Sequence, residues 1–430
     1  MSAAVAAVWR LASPGDDSSR AAWRAFLISR LLVAVVAIPV SVWFNFRGYT
    51  SPHEAVILTH PFDTGAPGEI LDAVVSSLAK WDAVWQLRIA NDGYGWAGGP
   101  AGGEAAFFPL YPLIVWLASG ASASPVALLA GAYAVSLAAF LAALRLLHRL
   151  VALELRPELG APTLMLLALF PTSLFFGAPY TESLFLLLSV GAFYAARTGR
   201  WPVAGLLAAA ASAARPVGVC LVVPLGVLYL YGPRGDRGAV TGRARSALFP
   251  RYRLRLDFLW LGLAPLGLVC FSGYLGLRHG DALAFLHEQQ ARTHEFSFPF
   301  AGIWEGTVAA FDSLTYLVFG TPESAGMFAA RNLMLFAFLV FGLVATVGVF
   351  RRLPPAYGVY VVALLFQPLS LPIDDKPLDS LGRYLAVVFP LFMWLALVCE
   401  ERQRTRPALL VSSAGLALLS GMFAAWVWVA

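Results

Sequence analysis

The sequence of 430 residues is poor in charge and holds only two lysines and three cysteines. Charged residues make up 13% of it, against roughly 25% in a typical soluble domain. The cysteines are too few and too scattered for a disulfide framework or a thiolate metal site. The glycine-rich stretch GWAGGPAGGEAAFF follows no predicted strand, so it indicates a loop and not a nucleotide-binding motif. These absences argue against a soluble enzyme and a disulfide-rich secreted domain, and nothing indicates a nucleic-acid partner.

Apolar residues are abundant instead. They form 59% of the chain, with a mean hydropathy of +0.72, and many lie in runs of the roughly 20 residues that cross a bilayer. The pattern predicts one all-α polytopic membrane domain over 1–430, embedded in a lipid bilayer. About eleven spans are expected, at 26–44, 125–149, 161–177, 182–197, 202–214, 217–231, 257–277, 325–350, 356–371, 384–399 and 408–428.

The arginines predict which side each loop faces. With residues 1–25 as a cytoplasmic tail and 232–256 as a basic cytoplasmic loop, the inner segments hold 20 basic and 8 acidic residues. The outer segments then hold 9 basic and 17 acidic residues. This asymmetry follows the positive-inside rule and puts residues 45–124 outside, as the first extracytoplasmic loop. The protein is therefore expected in the plasma membrane.

The outer loop 45–124 contains two apolar segments that are not counted as spans. Residues 106–120, AFFPLYPLIVWLASG, resemble a span, but counting them would put the later arginines outside. Pro109 and Pro112 favour an interfacial or re-entrant helix instead. Residues 69–90 are predicted to form one amphipathic interfacial helix with Trp85 near its apolar side.

Four charged residues are expected together on the outer face. Asp82 follows Trp81 in the block KWDAVWQLRIANDGYGW, where it could be a solvated interfacial carboxylate or a functional acid with a cavity or a partner. Glu182 begins a span, where it could serve catalysis or only the helix dipole. Arg215 is a lone cation between apolar residues, suited to phosphate but also able to snorkel. Arg383, followed by Tyr384, could cap the next helix start or bind a ligand, and the helix dipole disfavours a cation in the first of these roles.

Two histidines raise the question of a metal site. His287 and His294 are seven residues apart and would share a helix face. No third ligand stands at a diagnostic spacing, so no metal and no cofactor is expected.

The motifs WDAVWQLRIANDGY, AFFPLYPLIVWL, LFPTSLFFGAPYTESLFLLLSVGAFYAAR, ASAARPVG and SLGRYLAVVFPLF follow one another in this order. Together they resemble the PIG-V family, the GPI mannosyltransferase 2 family with its bacterial relatives, within the GT-C glycosyltransferases. The resemblance implies a GT-C-type fold and an inverting sugar transfer, mannose by family, from a polyprenyl-phosphate donor on the outer side. The acceptor stays open between a glycolipid, a lipoglycan and a protein, and glucose, galactose or arabinose donors are not excluded.

The resemblance also distributes roles among the outer residues. Asp82 and Glu182 occupy the positions of the family's loop acids and are the predicted catalytic residues. Arg215 falls where related enzymes place a basic residue near the lipid phosphate, and Arg383 is predicted to share that role. The substrate-binding residues are expected to be Trp81, Trp85, Arg88, Tyr94, Tyr180 and Tyr384, with Trp96 and the FFPLYP segment adding to the aromatic wall.

Two other classes of protein stay open. A secondary transporter would place ionisable residues near the bilayer midplane and show an inverted repeat, and none is visible in the sequence. A lipid-handling protein without transferase activity would have no need for two acids and an arginine on one face.

Overall fold

The structure is a computed structural model that describes residues 16–46, 66–95, 103–122, 124–236, 250–292, 297–320, 323–373 and 376–429. The secondary structure of the described residues is helical throughout, which confirms the predicted all-α class. The α-helices are α1 Asp17–Phe46, α2 Ala66–Val75, α3 Asp82–Asp92, α4 Leu110–Ala118, α5 Pro125–Glu154, α6 Gly160–Ala168, α7 Glu182–Arg197, α8 Trp201–Ala214, α9 Val222–Tyr231, α10 Leu266–His279, α11 Ala284–Arg292, α12 Pro299–Phe319, α13 Glu323–Arg352, α14 Pro355–Leu369, α15 Leu381–Val387, α16 Phe389–Glu401 and α17 Thr405–Ala424. Short 3₁₀ turns cover Glu104–Ala106, Pro157–Leu159, Ser173–Phe176, Pro216–Leu221 and Leu256–Leu263.

Helix α7 packs against both α5 and α8. Helix α1 packs on α5 and α17 at one flank, and α13 packs on α12, α14 and α16 at the other. Phe193, Tyr357 and Phe389 are fully buried between these helices. The outward faces of the long helices stay apolar, for example at Val35, which is 70% exposed. An exposed apolar surface of this kind is what a lipid-facing helix presents.

The predicted number of spans is not confirmed. Among the described residues, α1, α5, α13 and α17 are long and apolar enough to cross a membrane. The count rises to six if two bent pairs each form a span: Leu256–Leu263 with α10, bent by 41°, and α15 with α16, bent by 76°. The predicted span at 161–177 is divided between α6 and a 3₁₀ turn, with Pro171 in the break. Proline removes a helical hydrogen bond and clashes with the preceding turn, which explains the interruption.

The prediction of one interfacial helix over 69–90 is wrong. The structure has α2 and α3 there, separated by residues 76–81. Lys80 turns inward in this break, and its Nζ donates a hydrogen bond to the carbonyl of Ala424 at 2.6 Å. Trp81, which follows, adopts a φ of 56°, costly for a residue with a Cβ. Residues 106–120 contain the nine-residue α4, too short to span a bilayer.

Three ion pairs join segments that the positive-inside rule predicts to be cytoplasmic. Arg149 pairs with Asp16 at 3.0 Å, Arg197 with Glu154 at 2.6 Å and Arg352 with Glu401 at 2.6 Å. Arg197 ends the helix that Glu182 begins, so the two residues are separated by roughly 22 Å along the axis. The described parts of the predicted inner segments thus gather at the end of the bundle opposite Glu182. Residues 1–15, 47–65 and 237–249 of the predicted tail and loops lie outside the described residues.

Candidate active site

A cavity of about 1230 Å³ lies at the end of the bundle that carries Asp82 and Glu182. The polar and charged residues that line it include Asp82, Gln86, Arg88, Asn91, Asp92, Glu182, Arg215, Gln289, Gln367, Lys376, Asp379 and Arg383. Aromatic residues form much of the remaining wall, among them Trp81, Trp85, Phe107, Phe108, Tyr180, Tyr384 and Trp428. The cavity therefore combines hydrogen-bonding groups with apolar faces, as sites for sugars and lipids require.

The four predicted charged residues form one network in this cavity. Arg383 contacts Asp82 Oδ2 through Nη1 at 2.5 Å and Glu182 Oε1 through Nε at 3.1 Å. The same Glu182 oxygen accepts a hydrogen bond from Arg215 Nη1 at 3.3 Å. The order along the network is Asp82, Arg383, Glu182, Arg215, so negative and positive groups alternate. The side chains of Glu182 and Arg215 are 1% and 8% exposed, and such burial strengthens each interaction relative to water.

The two acids of the network each stand at the start of a helix. Asp82 is the first residue of α3 and Glu182 the first residue of α7. The positive end of each helix dipole favours a carboxylate at that position. Asp82 is directed into the cavity by the turn at Trp81, whose ring packs on Trp428 with a centroid separation of 5.7 Å. Lys80 holds the same turn through its hydrogen bond to the carbonyl of Ala424. Burial lowers the pKa of Lys80 to about 7.

Arg215 is held at a reversal of the chain. It ends α8 in an extended conformation, which the following Pro216 favours. A Cβ at Gly218 would lie 2.3 Å from the backbone of Ala211, so only glycine allows this close return. The guanidinium carbon of Arg215 lies 4.7 Å from the centre of the Tyr384 ring, an arrangement that stabilises a cation. Tyr384 therefore supports Arg215 as well as lining the cavity.

Arg383 is fixed by its neighbours on all sides. It follows Gly382, whose carbonyl accepts a hydrogen bond from Thr172 Oγ1 at 2.7 Å. Its guanidinium carbon lies 5.5 Å from the ring centre of Trp428 and 5.6 Å from that of Tyr180. The hydroxyl of Tyr180 in turn donates to the carbonyl of Lys80 at 2.8 Å. The aromatic residues around Arg383 thus hold it rigidly between the two acids.

Other predicted substrate-binding residues have different places. Trp85 lines the cavity and stacks on Phe107 with a ring separation of 6.0 Å. Arg88 lines it too, but pairs with Glu104 at 3.0 Å. Burial raises the pKa of the Glu104 carboxyl, and the positive charge of Arg88 opposes that rise.

The prediction that Tyr94 contacts substrate is not supported by its position. Tyr94 does not line the cavity, and its hydroxyl donates to the carbonyl of Phe107 at 2.6 Å. Its ring packs on Phe271 and Tyr274 in a separate apolar cluster. Tyr94 thus packs the segment after α3 against α10. The two segments are far apart in the sequence, so local pattern does not predict this contact. Trp96 lies outside the described residues.

Several lining residues were not singled out from the sequence, chiefly Trp428, Asp379, Gln289 and Lys376. Trp428 Nε1 donates to Asp379 at 3.2 Å, and Asp379 also pairs with Arg331. Trp428 is the last residue of the predicted span 408–428, where tryptophan is common, so no local pattern distinguishes it. Lys376 offered a clearer signal, because it is one of only two lysines in the chain.

The described residues contain no group of three potential ligands that could hold a metal ion. His287 Nδ1–H donates a hydrogen bond to Asp281 Oδ2, with 2.8 Å between the two atoms. That contact holds the pKa of the Asp281 carboxyl below its usual value. His294, the other predicted candidate, lies outside the described residues.

Fold and site together define an all-helical membrane protein with a charged, aromatic-lined cavity at one end of its bundle. The model of the PIG-V mannosyltransferase family matches residues 24–228, just under half of the chain. The predicted resemblance is confirmed over this part, which includes Asp82, Glu182 and Arg215. The match supports a membrane glycosyltransferase.

Two structures of the Archaeoglobus fulgidus oligosaccharyltransferase are similar to this chain. The structure complexed with zinc and sulfate is 14% identical, with a TM-score of 0.43, and the match covers 93% of this chain and 53% of that one. The structure tethered to an acceptor peptide with the NVT sequon is 13% identical, with a TM-score of 0.42 and coverages of 92% and 55%. This chain thus spans about half the length of these structures. No curated protein matches it.

Proposed function

We propose that the protein is a GT-C-type mannosyltransferase that uses a polyprenyl-phosphate-linked sugar. It passes the sugar with inversion to a hydroxyl of a glycolipid, lipoglycan or protein at the outer face of the plasma membrane. The observation that carries this proposal is the network of Asp82, Arg383, Glu182 and Arg215 in one aromatic-lined cavity. Such a transfer requires a base for the acceptor hydroxyl, cations for the leaving phosphate and apolar walls for sugar and lipid.

Asp82 is the proposed general base. Its side chain is 29% exposed toward the cavity, whereas that of Glu182 is almost completely enclosed at 1%. An incoming hydroxyl therefore has readier access to Asp82. Arg383 binds Asp82 Oδ2 and orients the carboxylate without enclosing it. The acceptor oxygen attacks the anomeric carbon as its proton passes to Asp82, and the lipid phosphate leaves with the electrons of the broken bond.

Glu182 is proposed to orient substrate hydroxyls. Its Oε1 is shared by Arg215 and Arg383, and its Oε2 is buried without a hydrogen-bond partner among the described residues. An unsatisfied carboxylate oxygen at a cavity wall is costly until it accepts a hydrogen bond. A sugar or acceptor hydroxyl would supply one.

The position of the charges favours a transferase over a transporter. The two acids begin helices α3 and α7 and meet at one end of the bundle. A secondary transporter would use ionisable residues at broken helices near the membrane midplane, within an inverted repeat.

A panel of donors tests the proposed sugar. Purified protein should transfer label from polyprenyl-phosphate-mannose faster than from the glucose, galactose or arabinose counterparts. Equal or faster use of another sugar would contradict the mannose assignment.

Arg215 is proposed to orient the donor phosphate through N–H groups that Glu182 does not use. Arg215→Ala should raise the apparent KM for the donor by about tenfold or more, the usual effect of losing a charged hydrogen bond. Arg215→Lys should keep part of the activity, because its charge survives but its fork of donors does not. Steady-state kinetics with varied donor checks this, and an unchanged donor KM in Arg215→Ala would refute it.

The orientation in the membrane is a further expectation. The cavity end should face outward and the arginine-rich end the cytoplasm. In a variant whose three native cysteines are replaced, Ser124→Cys at the start of α5 should react with an impermeant maleimide in intact cells. Arg402→Cys, at the exposed turn after α16, should react only after lysis. Labelling of Arg402→Cys in intact cells would show that the orientation is reversed.

A further inference from the structure

The arginines that line the cavity are already neutralised by carboxylates. Arg383 contacts both Asp82 and Glu182, Arg215 contacts Glu182, and Arg88 contacts Glu104. The central network of two acids and two arginines carries no net charge. An incoming phosphodiester would bring one negative charge into this partly enclosed space. Arginine N–H groups can still hydrogen-bond it, but its charge requires a cation that no carboxylate has taken.

Lys376 is the cation that meets this requirement. Its side chain lines the cavity and is half-buried, and it makes no ion pair or hydrogen bond with the described residues. The nearby acid Asp379 is occupied by Arg331 and by Trp428 Nε1. Asp374 and Asp375 lie outside the described residues.

The backbone around Lys376 is held in place, whereas its side chain has no polar partner among the described residues. Its N–H donates to the carbonyl of Ile373 at 2.9 Å, and its own carbonyl accepts from the N–H of Asp379 at 2.9 Å. A lysine on an anchored turn loses less freedom on binding an anion than one on an unsupported loop.

The wall that leads to Lys376 is apolar. Pro368, Leu371 and Ile373 line the cavity just before it in the sequence. A phosphate bound at Lys376 would therefore have a hydrophobic surface beside it, where an attached hydrocarbon chain could lie. Trp428, which also lines the cavity, is connected to the same segment through Asp379.

We propose that Lys376 is the counter-ion of the substrate's lipid phosphate, and that the wall formed by Pro368, Leu371 and Ile373 receives the adjoining prenyl chain. The inference rests on the proposed function and deepens it. It divides two tasks: the arginines direct hydrogen bonds to the phosphate oxygens, and Lys376 supplies the positive charge that balances the phosphate. A lysine suits the second task because its ammonium group acts as a compact point charge.

Binding of farnesyl phosphate and of farnesol to purified protein in neutral detergent tests the proposal without any sugar transfer. The dissociation constant of farnesol divided by that of farnesyl phosphate is the ratio that measures how much the phosphate strengthens binding. Lys376→Met should reduce that ratio by about tenfold or more, since a hydrogen bond to a charged group is lost. Farnesol affinity should stay near wild type. Lys376→Arg should keep most of the ratio, and Arg402→Met, an exposed cation at the other end, should keep all of it.

Two results would overturn the inference. One is an unchanged ratio in Lys376→Met, and the other is a wild-type protein that binds the phosphate no better than the alcohol. A bilayer headgroup as the true ligand is distinguished by adding phosphatidylglycerol or phosphatidylcholine to the micelles. The proposal expects neither lipid to displace farnesyl phosphate, and displacement by phosphatidylglycerol at equal concentration would contradict it. Absence of sugar transfer by wild type would refute the proposed function separately, whatever the binding ratios.

Discussion

Asp82→Asn is expected to lower the rate of sugar transfer by about 10²- to 10⁴-fold, the usual contribution of a general base. The substitution keeps the shape of the side chain and removes the proton acceptor. An asparagine oxygen can still accept the hydrogen bond that Arg383 donates to Asp82, so the cavity should keep its form. Turnover of purified protein with saturating lipid donor measures the effect. Donor affinity and melting temperature should stay near wild type.

The comparison with Glu182→Gln separates the roles of the two acids. This variant should transfer sugar more slowly than wild type but faster than Asp82→Asn, because Glu182 is proposed to orient hydroxyls. Near-normal turnover by Asp82→Asn would eliminate it as the base and shift that role to Glu182. A parallel loss of melting temperature and activity in Asp82→Asn would show that the carboxylate is structural.

Arg383→Met is expected to abolish transfer and to destabilise the fold by about 3–5 kcal/mol, the usual cost of removing one partner of a buried ion pair. Arg383 is the shared partner of Asp82 and Glu182, and its side chain is only 12% exposed. Methionine would leave two carboxylates in the cavity without their cation. Thermal unfolding in detergent measures the loss of stability, and transfer is assayed below the melting temperature.

A matched control is available at the other end of the bundle. Arg352 pairs with Glu401 at 2.6 Å, but both side chains are nearly half exposed. Arg352→Met should therefore cost about 0–1 kcal/mol, as exposed pairs usually do. Equal destabilisation by Arg352→Met and Arg383→Met would contradict the structural importance of the cavity network. Full activity of Arg383→Met would contradict its role at the site.

Much of the candidate site could be predicted from the sequence because lone charges in apolar surroundings are conspicuous. Asp82, Glu182, Arg215 and Arg383 each interrupt or border an apolar run, and the positive-inside rule put all four on one face. The structure brings them into one network. Their pairing was not predictable, because Asp82 and Arg383 are 301 positions apart and local patterns do not specify such contacts.

The missed features depend on contacts between distant segments. The apolar periodicity over 69–90 is continuous, but the inward turn of Lys80 toward Ala424 divides it into two helices. Trp428 is the last residue of the predicted span 408–428 and has no distinctive local pattern, whereas the structure places it beside both Trp81 and Arg383. Tyr94 belongs to an aromatic block of the kind that binds sugars, yet its ring packs on Phe271 and Tyr274 of α10. In each case a tertiary partner, invisible to local pattern, determined the position of the side chain.

Transfer of radiolabelled mannose tests the central claim most directly. Purified wild-type protein and Asp82→Asn are incubated with polyprenyl-phosphate-mannose and a membrane extract, and the labelled product is isolated for its anomeric configuration. Wild type is expected to label an acceptor with inversion at the anomeric carbon, and Asp82→Asn to label it at least 100-fold more slowly. A product with retained configuration, or equal labelling by both proteins, would contradict the proposed mechanism. No labelled product from wild type, with the donor intact and the extract competent for a known transferase, would contradict the proposed function.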